Sequence, residues 1–87
     1  MENNREPHEL RLDNRARLSV SGVREVESFD ESLVLCRTSF GLLSIRGSDL
    51  HVFRLDLDGT SLSVEGHIES LTYTDVRKGG LFGRLLR

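Results

Sequence analysis

Arg54-Leu55-Asp56-Leu57-Asp58-Gly59-Thr60-Ser61-Leu62-Ser63-Val64 decides between two fold classes. Its apolar residues alternate with polar ones on both sides of Asp58-Gly59, and Asp-Gly between alternating runs is a strong signal for a β-hairpin turn. Working outward, the same period of two recurs: Leu10 and Leu12, Leu18 and Val20, Leu33 and Leu35, Leu43 and Ile45, Leu50 and Val52, Leu71 and Tyr73. Alternation over many short runs predicts β-strands with one buried face. Asp13-Asn14, Ser21-Gly22, Ser28-Phe29-Asp30, Phe40-Gly41, Gly47-Ser48 and Gly66 separate the runs with turn chemistry. The expectation is an all-β domain of short, mainly antiparallel strands.

A small pattern repeats inside that alternation. Leu18-Ser19-Val20-Ser21-Gly22, Leu43-Ser44-Ile45-Arg46-Gly47 and Leu62-Ser63-Val64-Glu65-Gly66 each read as a strand with two inward side chains that ends on a glycine. Stacked coils of a β-solenoid would give such repeats. The unequal spacing and the Asp-Gly turn between two copies favour an antiparallel meander or sandwich, with solenoid stacking as the alternative.

The chain has 87 residues, enough for one domain, and a chain this short has a thin core, so self-association or a partner is expected. Fourteen acids face twelve bases, but unevenly. Residues 18–75 carry four arginines and ten acids, whereas Arg77, Lys78, Arg84 and Arg87 follow Asp75 without an acid. An acidic middle argues against nucleic acid, whose phosphates need a contiguous basic surface. A single cysteine, Cys36, excludes an internal disulfide and suits a reducing compartment. No run of about 20 apolar residues is available to span a bilayer, so a cytoplasmic protein is expected. The chain divides into a flexible stretch at 1–7, a β domain at 8–75 and a basic amphipathic segment at 76–87.

Asp56-Leu57-Asp58-Gly59-Thr60 also resembles the nucleophile motif of haloacid-dehalogenase-type phosphatases, in which one aspartate attacks phosphorus beside magnesium. That reading is the enzymatic alternative. It needs a doubly wound α/β domain, a later lysine and a late acidic pair. Only 27 residues follow Thr60, with Lys78 the sole lysine and Glu65, Glu69 and Asp75 scattered. An EF-hand fails on spacing, since the glycine is fourth from Asp56 and not sixth. His8, His51, His67 and Cys36 hold no metal-ligand spacing. His51 and His67 are expected on solvent faces, and Cys36 in the core. Arg37, Arg46 and Arg54 are expected to face Glu25, Glu27 or Glu65 as weak cross-strand pairs or to lie solvated. No catalytic residue, cofactor or metal is assigned, and a non-enzyme is expected.

After Gly79-Gly80 the period changes. Leu81 with Leu85 and Phe82 with Leu86 fall four apart, beside Arg84 and Arg87. Arg77, Lys78, Leu81, Phe82, Arg84, Leu85, Leu86 and Arg87 are therefore the candidate contacts for a partner or a membrane surface. Folding back onto the sheet is the structural alternative, and a seven-residue turn alone holds a membrane weakly.

Taken in order, several pieces resemble the YabP/YqfC family of sporulation proteins. They are His8-x-Leu10-x-Leu12-x-Asn14-Arg15, Leu18-x-Val20-x-Gly22-Val23, Val26-Glu27-Ser28-Phe29-Asp30 and Gly41-x-Leu43-x-Ile45-x-Gly47-x-x-Leu50. Leu55-Asp56-Leu57, Gly66-x-Ile68, Tyr73 and the Leu81-Phe82 segment follow. Asn14-Arg15, Ser21-Gly22-Val23 and Glu27-Ser28-Phe29-Asp30 carry most of the weight, and the length and N-terminal motif lie on the YabP side. Cys36-Arg37-Thr38 departs from the family's more acidic pattern, and the tail has arginine where lysine is common. The resemblance implies a non-enzymatic protein of the mother cell that serves assembly of the spore cortex or coat beside an integral membrane sporulation protein. It leaves Asn14, Arg15, Phe29 and Asp30 as boundary positions shaping the fold or a contact surface. A homo-oligomer, and peripheral membrane contact through the C-terminal segment, complete the expectation.

Overall fold

The computed structural model describes residues 7–56, 58 and 60–75, and they form six strands. These are β1 (Leu10–Asp13), β2 (Arg17–Ser21), β3 (Val23–Phe29), β4 (Leu33–Thr38), β5 (Gly41–Asp56) and β6 (Ser61–Thr74). All neighbours are antiparallel, in the order β1-β2-β6-β5-β4-β3. The antiparallel expectation holds, and solenoid stacking, which needs parallel coils, is excluded for this segment. β5 and β6 pair down to Asp56 opposite Ser61, so the Asp58 segment joins two strands of a hairpin.

Sixteen and fourteen residues make β5 and β6 long for a domain of this size, and both bend. The first half of β5 pairs with β4 and with the second half of β6; the second half of β5 pairs with the first half of β6, which pairs with β2. Register shifts between Arg46 and Gly47 and between Ser48 and His51 mark the bend. A flat single sheet could not leave Leu18, Leu43, Ile45 and Val64 wholly inaccessible, so the two halves fold over each other. The shortest Cα dimension, 19 Å, fits two layers at the usual spacing of about 10 Å with their flanking loops.

Each copy of the sequence repeat ends at one of these corners. Gly22, at φ 75°, joins β2 in one half to β3 in the other. Gly47 and Gly66 lie in the bend of β5 and β6, each pressed against the opposite strand: a Cβ on Gly47 would run into the His67 carbonyl oxygen, and one on Gly66 would lie 2.5 Å from the Asp49 carbonyl oxygen. Gly66 also holds φ 137°, open to glycine and strained for other residues.

Two hairpin turns clamp this bend from opposite sides. The β1–β2 turn, with Asn14 and Arg15 both at φ 52°, offers its carbonyls to β6: Gly66 N–H donates to Ala16 O at 3.0 Å and Ile68 N–H to Arg15 O at 2.8 Å. The Arg15 side chain returns Nε to Ile68 O at 3.0 Å and Nη2 to Glu69 O at 3.2 Å. On the other side, Gly47 N–H donates to Ser32 O at 3.1 Å and Leu50 N–H to Glu31 O at 2.9 Å.

The core consists of rows that run across strands on the inner faces. One half supplies Leu12–Leu18–Val64–Val52 and Leu10–Val20–Leu62–Leu55; the other supplies Phe29–Val34–Ile45–Leu71 and Val26–Cys36–Leu43–Tyr73. The two middle members of every row are buried and the ends are partly open. β4 corrects the sequence reading of Leu33 and Leu35, which are half-covered on the other face; Val34 points inward together with Cys36, a residue expected in the core. Its unbroken Leu-Val-Leu-Cys run carries no phase, and the pairing with Ile45 and Leu43 supplies it. Leu55, expected inward, shares the face of Leu62 but remains 44% exposed at the end of its row. Thr38, the one buried polar side chain among the described residues, donates to Gly41 O and accepts from Phe40 N–H, so its burial leaves no unmet group.

Candidate functional site

The two halves meet along two seams. At the first, the residues that flank β1, His8 and Arg15, reach the second half of β6. His8 Nδ1 donates to the Ser21 carbonyl at 2.7 Å, while its Nε2 takes a 2.5 Å hydrogen bond from the Tyr73 hydroxyl. The imidazole stacks on Phe40 and meets Tyr73 edge-on. With Arg15 at the opposite end, side chains fasten this seam at both ends. Burial pushes the Tyr73 phenol above its ordinary range.

At the second seam the margin of β3 faces the second half of β5. Backbone bonds tie its two ends: Val23 N–H to Thr60 O at 3.0 Å, and Leu50 N–H to Glu31 O at 2.9 Å. In between, β3 ends the sheet order and is paired only with β4, while residues 51–55 of β5 are laddered only with β6. The row ends along this seam are Val26, Phe29, Val52 and Leu55. Phe29 is 62% exposed, and Phe53, in a register shift of β5, is 61% exposed. These are the two most exposed large apolar side chains among the described residues.

Acids rim the seam. Glu27 binds Arg37 of β4 at 2.5 Å, and that hydrogen bond holds its carboxyl below the usual range while raising the guanidinium. Asp30 turns the chain into β4 by accepting from Ser32 N–H at 2.8 Å, Ser32 hydroxyl at 3.1 Å and Leu33 N–H at 2.9 Å. These bonds, that of the Ser32 amide foremost, hold its carboxyl below the ordinary 3.8. A depressed carboxyl stabilises the fold above its unfolded pKa, and that contribution is lost as pH falls through the folded value. Asp30→Ala is therefore expected to lower the urea midpoint at pH 7, with the gap from wild type closing as pH drops below 3.8. A gap that persists unchanged in acid would show that the carboxylate does not cap this turn.

The remaining chemistry-bearing residues are dispersed. Asp56 closes β5 and Asp58 lies in the turn after it, both exposed, and no helix of the described residues supplies the strand-to-helix setting of the phosphatase motif. Among the described residues no group of three or more His, Cys, Asp or Glu is placed to hold a metal ion. His51 and His67 face solvent, with His51 Nε2 3.4 Å from Glu65. Glu65 also meets Arg17 at 3.1 Å, an arginine outside the expected set of Arg37, Arg46 and Arg54, of which Arg37 pairs with Glu27. Cys36 is fully buried, and desolvation pushes its thiol up to about 11, which makes it a core residue with little nucleophilic character. A hollow of about 220 Å³ lies on the outer face, where Ser19, Ser21, Ser61 and Ser63 line it with Arg11. The candidate contacts Arg77, Lys78, Leu81, Phe82, Arg84, Leu85, Leu86 and Arg87 lie outside the described residues, as do residues 1–6.

Phe29 stood among the boundary positions of the sequence reading, but Phe53 did not. Its signal was Val52-Phe53, two adjacent apolar residues that break the period of two. No helix of the described residues is long and apolar enough to cross a membrane. Comparison with known proteins gives two concordant matches. The sequence profile of the YabP family matches residues 4–80. The chain is 36% identical over 86 residues to Spore protein YabP of Bacillus subtilis (strain 168), covering 94% of this chain and 86% of that protein.

Proposed function

This chain belongs to the YabP family, and from that premise we propose that it is a non-enzymatic sporulation protein, an assembly or adaptor factor for the spore cortex or coat. It acts in the mother-cell cytoplasm, at the membrane around the forespore, through an integral membrane protein. The observation that carries this reading is the placement of Phe29 and Phe53: large apolar side chains exposed on the margins of a sheet whose interior is already filled. Large apolar groups left on strand margins are characteristic of contact surfaces. The basic amphipathic residues of 76–87 add a second contact, to the membrane surface or to the same partner.

The test is complementation in an endospore-forming host that lacks its own copy, with a fluorescent fusion to follow position. Wild type is expected to surround the forespore and restore heat-resistant spores. The double variant Phe29→Ser/Phe53→Ser should fold, lose that position and fail to restore spores. Full rescue by the folded double variant would overturn the adaptor reading. A chain shortened by residues 79–87 asks a separate question: normal localisation and normal spores would remove the C-terminal contact from the mechanism.

A further inference from the structure

Deepening that reading, and resting on it, we propose that the seam between β3 and the second half of β5 takes an extended basic peptide of a partner protein, added as a strand. Three observations converge on this occupant. First, between the ties at Val23–Thr60 and Leu50–Glu31 the margin of β3 pairs only with β4 and that of residues 51–55 only with β6, so each margin faces the seam without a ladder partner from the other. A strand margin is a template for main-chain hydrogen bonds from an extended peptide.

Second, the row ends Val26, Phe29, Val52 and Leu55 belong to these two margins on the inner face, with Phe29 and Leu55 the more exposed. A strand directs alternate side chains to opposite faces, so every second residue of the guest would enter this apolar floor. The first seam differs in that side chains, His8 and Arg15, bridge it at both ends.

Third, the rim is acidic. Residues 24–32 carry four acids and one arginine, and residues 49–58 carry three acids and one arginine. The intervening residues of the guest, facing outward, would meet this field, so they are Lys or Arg. Charge sets the identity of the guest and the apolar floor sets its register; an acidic strand of the same shape would be repelled.

The probe is a short labelled peptide alternating arginine and valine, blocked at both termini, with a glutamate-for-arginine counterpart, added to the full-length protein. Fluorescence anisotropy should show saturable binding of the basic peptide, weakened by added salt, and none of the acidic one. Amide exchange should slow in residues 24–29 and 51–56. Phe29→Ser should weaken binding at least about tenfold with the unfolding midpoint nearly kept. The pair Glu25→Lys/Asp58→Lys should reverse the preference between the two peptides.

Equal binding of both peptides, or protection confined to β1 and the serine-lined outer face, would overturn the proposal. So would seam amides already protected in the free protein: a second copy fills the seam if that protection depends on protein concentration, and the chain itself if it does not. The adaptor reading stands or falls separately, since a partner captured at β1 would sink the seam and spare the adaptor.

Discussion

Gly66→Ala and Gly47→Ala are each expected to unfold a large share of the protein at 25 °C, with a loss of several kcal/mol from a domain whose whole stability lies at the low end of about 5–15 kcal/mol. At Gly66 two costs add. An alanine at φ 137° pays about 1–3 kcal/mol for its backbone conformation, and its Cβ would stand 2.5 Å from the Asp49 carbonyl oxygen and 2.8 Å from the Leu50 Cα. Both neighbours are backbone of β5 in the register shift that forms the bend, where Glu31 O holds the Leu50 amide, so neither swings away as a side chain would. At Gly47 the obstacle is the His67 carbonyl oxygen, again backbone. The bend would have to open, and Ala16, Arg15, Ser32 and Glu31 would lose the amides they accept from. Urea denaturation followed by far-ultraviolet circular dichroism measures this directly. An alanine variant at either position with a midpoint near that of wild type would mean that the two long strands do not cross as closely as described.

The corner positions explain why part of this fold is legible from sequence. The three Leu-x-Val/Ile-x-Gly segments each place two side chains inside and then a glycine where the chain must turn between halves, so strand, phase and corner are all local. The residues that carry the family resemblance also have local work: Asn14-Arg15 forms a left-handed turn whose backbone and guanidinium hold β6, Gly22 turns β2 into β3, and Asp30 caps the turn that leads to β4. Phase across β4 is not local, since Leu33, Val34, Leu35 and Cys36 are all apolar and only the partner strand decides which pair enters the core.

The seam is less legible still. Val26, Phe29, Val52 and Leu55 belong to strands that meet only because the sheet folds over, and no periodicity in β3 or β5 alone announces that encounter. The sequence points to a contact segment at 76–87, where amphipathicity is contiguous in the chain, and leaves Phe29 as a boundary position shaping the fold or a contact surface. Phe29 on β3 and Phe53 on β5 stand 24 positions apart, and that both are left exposed on strand margins becomes visible only in three dimensions.

The row Phe29–Val34–Ile45–Leu71 separates stability from contact within a single line of side chains. Ile45→Ala is expected to cost about 2–5 kcal/mol, because Ile45 is wholly inaccessible between Val34 and Leu71 and the second half of the domain packs over it. For a domain of this length each kcal/mol moves the thermal midpoint by about 4–8 °C, so the variant should melt at least roughly 8 °C lower. Phe29→Ala, two strands away in the same row, should cost under about 1 kcal/mol, since a side chain 62% exposed leaves little packing to lose. Its consequence is expected in binding and spore formation, where the Ile45 variant, if it remains folded at the growth temperature, should still function. Calorimetric melting beside complementation reads both halves of this contrast. A Phe29 variant as unstable as the Ile45 variant would place Phe29 in the core, and with it would go the argument that this aromatic ring is held out for another protein to cover.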